Sequence, residues 1–476
     1  MLEEDIETSS SHSSHSVYGV PPQFDPEYFD DDGRPKRTGT IWTTSSHIIT
    51  AVIGSGVLSL AWAVAQLGWI AGPVSMILFS LVTLYTSSML AECYRYGDPI
   101  FGKRSYTFVE AVHNILGGLH YRFCGILQYL YLYGSAVGYS IAAPISMMEM
   151  KRSRCIHKSG GKDPCRISTN PYMIGFGILE IFVSQIPEFH DTWWLSLIAA
   201  IMSFVYSIIG VFLVTFQVAV NGTVKGTVTG GGAEIVSTTK KVWGIFQALG
   251  NIAFAYSYAQ ILIEIQDTIK NPPSEVKTMK AATVLSVAVT TTFYMLCGCM
   301  GYAAFGAHAP GNLLTGFSSY NPSWVIDVAN AAVIIHLVGA YQVYVQPVFA
   351  FIERRAAKRW PQTKMEHKIF GGYNLNLFRI VWRTIFVIVT TFVAMLIPFF
   401  NDVLGFLGAV GFWPLTVFFP VEMYILQKGI PKWSSKWIWL EIISLVCLIV
   451  SAMAALGSVA SIMNDLENYK PFDSEY

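Results

Sequence analysis

Long apolar blocks separated by short polar breaks organise this chain of 476 residues. Reading the blocks gives eleven segments: 41–66, 70–94, 121–148, 171–187, 192–218, 241–269, 279–304, 323–351, 375–398, 400–426 and 437–463. Most run to about 20 residues or more, the length with which a helix crosses a hydrocarbon layer of about 30 Å. The stretch 105–118 is too polar and too short for that, and its pattern predicts an amphipathic helix at the membrane face. Only Phe399-Phe400-Asn401-Asp402 parts segments nine and ten, so a tight turn joins them. The pattern predicts an all-α integral membrane protein with about eleven transmembrane helices.

Composition sharpens this. The chain is 53% hydrophobic and 13% charged, about half the charged fraction of a soluble domain, so a water-exposed surface of that size has no cover. The formal net charge is zero, which removes any global field for nucleic acid. Residues 1–37 hold no apolar run that serves as a signal peptide. They are acidic and Ser/His-rich, and read as a disordered cytosolic tail in which His12 and His15 are solvated. With that end in the cytosol, most of the 31 basic residues fall in inside loops, at 34–37, 95–122, 270–280, 354–383 and 428–436. The loop 151–166 breaks this bias, yet it holds Cys155 and Cys165, the one cysteine pair in a polar loop. A disulfide between them places that loop outside. The C-terminal tail 464–476 then also lies outside. The sequon Asn221-Gly222-Thr223 falls outside too, but so near the membrane that glycosylation is not expected.

A membrane helix can break at depth only where its freed backbone is buried in protein or lines a cavity. Gly54-Ser55-Gly56, midway along segment one, marks such a break, and the amides that start its second half would suit a carboxylate. Close packing of small residues is the alternative. Segment six has a matching interruption, Asn251 and then Tyr256-Ser257. Matched breaks in two halves are the mark of a five-plus-five inverted-repeat transporter, with repeats at about 41–218 and 241–426, and helix eleven at 437–463 added to a 38–463 transporter domain. A zwitterion suits such a site, since neither of its charged ends requires a charged side chain.

Ionisable groups within the spans are costly and mark candidate function. His47, His336 and Asp327 are the proton candidates, against a packing role for each histidine. Glu264 and Asp267 read as a helix anchor or gate, and Glu180, Glu422 and Glu441 are unranked. One face of Tyr129, Tyr131 and Tyr133 offers a hydroxyl, with Tyr129 taken as the candidate. No enzyme motif, nucleotide loop or metal-ligand spacing is present, so neither a metal nor a cofactor is expected.

Several stretches carry a resemblance to a known family: HIITAVIGSGVLSLAWAVAQLGW, KSGGKDPC, SQIPEF, NIAFAYSYAQILIEIQDTIKNPPSE, MLCGCMGYAAFG, HLVGAYQVY, FWPLTVFFPVEMYI and YKPF. From about residue 33 to the end, the chain resembles the plant amino acid permeases of the amino acid/auxin permease family of proton symporters. The resemblance implies a LeuT-like fold with helices one and six broken, alternating access at the plasma membrane, and H+ rather than sodium as driving ion. It implies broad amino acid specificity, neutral and acidic, with basic side chains left open. The other expected associations are membrane lipid, no nucleic acid and a functional monomer. Carried over, Gly54, Ser55 and Gly56, flanked by Ile53 and Val57, hold the substrate carboxylate. Asn251, Phe254, Ala255, Tyr256 and Ser257 form the other half of the pocket. Many relatives have GDIAFAYSYS where this chain has GNIAFAYSYA, so Asn251 and Ala259 replace an acid and a hydroxyl.

Overall fold

A capping box starts the first helix: the Thr40 hydroxyl accepts from the Thr43 amide while Thr43 answers the Thr40 amide, satisfying donors that have no turn before them. This is α1, Ile41–Val52. The computed structural model describes residues 28–469, except positions 31, 35, 99–101, 161, 164, 187–192, 232–236, 361–365 and 369–373. Residues 1–27 of the expected tail and residues 470–476 therefore lie outside the described residues.

After a break, α2 (Gly56–Glu92) runs through two expected segments and turns at Gly68, where φ is +83°. A side chain there would meet Val228 O and Gly230 N at 2.4 Å, so only glycine lets the 226–231 loop cross this corner. The short pair β1 (Arg95–Tyr96) and β2 (Lys103–Arg104) leads to α3 (Phe108–Leu116), whose buried face is Phe108, Ala111, Val112 and Ile115. That is the expected amphipathic helix.

Next come α4 (Gly118–Ser159), α5 (Asn170–Val183) and α6 (Trp193–Asn221). The second half opens with α7 (Thr238–Tyr256), a 3-10 turn at Ala259–Ile261 and the short α8 (Leu262–Gln266). It continues with α9 (Glu275–Phe305) and α10 (Ser323–Arg359). A small hairpin, β3 (Glu366–Lys368) with β4 (Asn374–Asn376), precedes α11 (Leu377–Leu396) and α12 (Phe400–Gly411). A π-helical stretch, Phe412–Phe418, carries α12 into α13 (Phe419–Gln427), and α14 (Ser435–Asn468) is last.

Among the described residues, seven helical stretches are long and apolar enough to cross a membrane. The other apolar blocks are the interrupted α1 and α7, the short α5, and α4. Outward-facing Ile70, Leu78, Ile126, Ile201, Phe212 and Leu445 give the bundle an apolar exterior, which suits lipid rather than water.

Several boundaries differ from expectation: α10 runs on through the basic residues 354–359 expected in a loop, and α14 takes in 464–468 of the expected tail. The basic stretch from Lys151 to Ser159 continues α4 instead of forming a loop, since nothing there breaks a helix before Gly160. Cys155 thus sits on a helix end and pairs with Cys165, Cα to Cα 6.0 Å. Residues 28–37 are not a free tail. Arg37 is in contact with Asp30, Asp32 and Asp267, and the stacked Arg34 guanidinium lies 3.5 Å from the centre of the Tyr106 ring.

Candidate substrate site

The chain leaves helical geometry at Ile53 (φ −76°, ψ +77°) and resumes at Gly56. Helix α7 stops at Tyr256, Ser257 is extended, and α8 begins only after the 3-10 turn. These two breaks touch. A Cβ on Gly56 would stand 3.0 Å from Ala255 Cα, so the absence of a side chain at Gly56 is what lets the half-helices cross. Ile53, Ser55, Val57, Ala255, Tyr256 and Ser257 are all buried.

Freed carbonyls at the breaks are met by tyrosines. The Tyr206 hydroxyl of α6 stands 3.0 Å from Gly54 O and 3.2 Å from Ile53 O. The Tyr294 hydroxyl of α9 reaches Ala255 O at 2.9 Å and also Val52 O. One phenol has one hydrogen, so each tyrosine serves two carbonyls in turn, and Tyr294 ties one break to the other. Gln128 of α4 donates to Gln260 O at 2.9 Å, and Ser257 caps back on Ala253 O at 2.8 Å. On the amide side, Ser55 makes no side-chain cap and its Oγ has no hydrogen-bond partner among the described residues. The first amides of α2 thus start a half-helix that is uncapped by its own chain.

His336 stands beside this junction. It is fully buried, its Nδ1 lies 2.9 Å from Ala199 O, and its Nε2 has no hydrogen-bond partner among the described residues. A carbonyl only accepts, so Nδ1 carries the hydrogen and Nε2 is the open proton acceptor. That nitrogen is 3.7 Å from where a Gly54 Cβ would be. The Tyr206 ring meets the imidazole edge-on at 5.6 Å.

Four expected site residues lie elsewhere. His47 is on the exposed face of α1. Its two-turn spacing to Gly54 loses meaning because the helix ends at Val52. Asp327 sits in the second turn of α10, paired with Arg154 at 3.3 Å, about 14 Å along the helix before His336. Tyr129 packs on Phe351 at 4.5 Å. Tyr131, two residues on, faces the junction instead: its ring is 6.2 Å from Phe254 and its hydroxyl neighbours Ser257 and Gln260. Asn251 stays within α7 and points at α12, where a Gly405 Cβ would come 2.9 Å from its Oδ1.

Tyr206, Tyr294 and Gln128 were missed. The usable signal was tyrosine or glutamine about two turns or more inside an apolar block rather than at its ends, where interfacial aromatics belong.

The two ends of the bundle differ. At the end bearing the disulfide, a cavity of about 690 Å³ is lined by Trp62, Glu149, Lys240, His308, Asp402 and Asp465, among others. None of residues 53–57 or 254–258 lines it. At the opposite end Arg37 closes on Asp267, which also accepts from Tyr94 at 2.6 Å. Arg95 and Arg104 share Glu275 at 2.7 and 3.2 Å.

Residues 37–464 match the family described as transmembrane amino acid transporter protein. The chain belongs to that family. It is 62% identical to amino acid permease 3 of Arabidopsis thaliana, across 98% of this chain and 99% of that one. Amino acid permease 2 of the same plant is 61% identical across 96% and 94%. Both relatives are named as permeases rather than enzymes. Among solved structures, MhsT in complex with L-phenylalanine superposes with a TM-score of 0.53 at 11% identity, covering 90% of this chain and all of that one. That likeness is one of fold. The chain is a multi-pass membrane protein with the LeuT-like architecture, helices one and six broken.

Proposed function

We propose that this chain imports amino acids together with protons across the plasma membrane by alternating access, with the N-terminus cytosolic and the C-terminus outside. Its expected range is neutral and acidic side chains. The contact of the two breaks, Gly56 on Ala255, carries this reading. It brings uncapped amides and unwound carbonyls together among neutral groups, which suits a zwitterion. The relatives named as amino acid permeases support the substrate class. For the proton, the support is His336, whose open Nε2 stands against Gly54. Histidine changes charge near neutral pH.

The test is current in oocytes expressing the chain, with L-alanine added at pH 5.5 and 7.5, with and without sodium. An inward current that grows at pH 5.5 and ignores sodium is expected. His336→Ala is expected to cut the maximal current about 100-fold, the low end of what one positioned proton-transfer group contributes. A sodium-dependent current, or alanine binding without current, contradicts the proposal.

A further inference from the structure

Beyond the breaks, the membrane interior holds a second polar cluster, between α7, α12 and α14. Asp402 lies in the first turn of α12 and is 4% exposed. Gln247 of α7 donates its Nε2 hydrogen to Oδ1, while Oδ2 makes no hydrogen bond among the described residues. Asp465 and Ser461 of α14 are its neighbours, and both line the open cavity together with Asp402.

One turn along α12, Gly405 is crowded by polar atoms from both neighbours. A Cβ there would meet Ser458 Oγ at 2.7 Å and Asn251 Oδ1 at 2.9 Å. Asn251 and Ser458 are fully buried, and neither side chain has a hydrogen-bond partner among the described residues. Unpaired buried polar groups are costly, and these lie one turn along α12 from a carboxyl that no cation pairs with among the described residues. Other charged groups around the cavity are Lys240 of α7, Glu149 and Arg152 of α4, and His308 in the segment after α9. Glu149 is already held by Arg152 at 3.1 Å and Ser318 at 2.6 Å.

We propose that Asp402 is the outer proton-loading site of this transporter, a step that rests on the proton-symport reading above. A hydronium ion in the cavity gives one proton to Oδ2 and is left as water. Gln247 continues to donate to Oδ1, and the new O–H points to Asp465, so the two carboxyls share one proton. The pair then carries one negative charge fewer, and the repulsion holding α12 from α14 falls.

That change has a direct route to the breaks. Helices α7 and α12 meet backbone to backbone: a Gly408 Cβ would overlap Gly250 O and come 2.5 Å from Phe254 N, and a Gly250 Cβ would overlap Gly405 O. With no side chains between them, a shift of α12 moves α7, which ends at Tyr256. Gln247, Asn251 and Ala255 recur at four-residue spacing, one face of α7 from Asp402 to the crossing with Gly56.

The experiment measures L-alanine binding to the purified full chain at pH 5.5 and 7.5. For the unmodified chain, binding is expected to be about tenfold tighter at pH 5.5, within the usual range of coupling between two sites. Asp402→Asn is expected to bring the two affinities within about twofold, and Asp402→Glu to restore most of the difference. An Asp402→Asn chain that keeps the full difference overturns the proposal. So does loss of alanine binding in both variants, which marks a structural role. An unmodified chain that shows no pH dependence removes the proton-symport reading and this site with it, a result visible before any variant is made.

Discussion

The two ends of the bundle solve opposite problems with the same residue types. At the N-terminal end, most carboxylates meet arginines, Glu264 apart: Arg37 serves Asp30, Asp32 and Asp267, and Glu275 serves Arg95 and Arg104. The backbone is stitched as well, since Gly39 donates to Thr268 O at 2.9 Å and Lys270 donates to Gly39 O at 3.0 Å. At the disulfide end, Asp402 lines an open cavity, and its Oδ2 and the buried Asn251 and Ser458 side chains have no hydrogen-bond partner among the described residues. Paired buried charges hold a closed arrangement, because separating them leaves a charge unsatisfied. Unpaired polar groups favour a further state that satisfies them. This conformation is thus sealed at one end and poised to change at the other, with the breaks between.

The largest loss is expected from spoiling the junction that lies between the two ends. Gly56→Val drives a β-branched side chain into Ala255 and is expected to lower alanine uptake about 100-fold, the loss that follows an ångström of misplacement. Surface expression is measured alongside. Next, Arg37→Ala unseals the N-terminal end and leaves Asp30, Asp32 and Asp267 with only longer cation contacts among the described residues, to Arg104 and Arg34, at a cost of about 3 kcal/mol. Uptake is expected to fall about tenfold while hydrogen exchange of the Gly39 and Lys270 amides speeds up. An Arg37→Ala chain with unchanged exchange contradicts the seal.

Tyr294→Phe removes a single hydroxyl between the breaks. A neutral hydrogen bond is worth about 1 kcal/mol, so a roughly fivefold drop in uptake is expected. The smallest effect sharpens the contrast between ends. Burial pushes the Asp32 carboxyl up, but hydrogen bonds from Arg37 and the Arg34 amide outweigh it and hold it at about 2. A carboxyl held below its ordinary value of about 3.9 contributes stability in full above about pH 4, lost as pH falls through about 2. Between pH 5.5 and 7.5 this contribution stays constant. Exchange of the Gly39 amide, corrected for its intrinsic rate, is expected to be equal at both.

Much of the fold was legible in the pattern. Apolar blocks gave the helices, and Gly54-Ser55-Gly56 marked the first break because glycine tolerates what other residues do not. The second break was placed by Tyr256-Ser257, but Asn251 was grouped with it wrongly. A polar residue inside an apolar helix shows that something polar faces it, not whether that partner is substrate or a neighbouring helix such as α12. Tyr129 and Tyr131 show the same limit. They are about 200° apart around α4, and the sequence does not say which way the helix is turned. The helical course of Lys151–Ser159 was hidden because basic residues resemble a loop once a span is counted as finished. Contacts of Arg37 with Asp267, or of Tyr294 with both breaks, depend on three-dimensional neighbours and leave no local mark.

The most direct measurement is the structure of this chain with L-alanine bound, by electron cryo-microscopy. Density for the ligand between residues 53–57 and 254–258, with its carboxylate at the first amides of α2 and Tyr131 within contact, is the predicted result. Alanine held only in the cavity beside Asp402 and Asp465, with the Gly56–Ala255 crossing unoccupied, would contradict it.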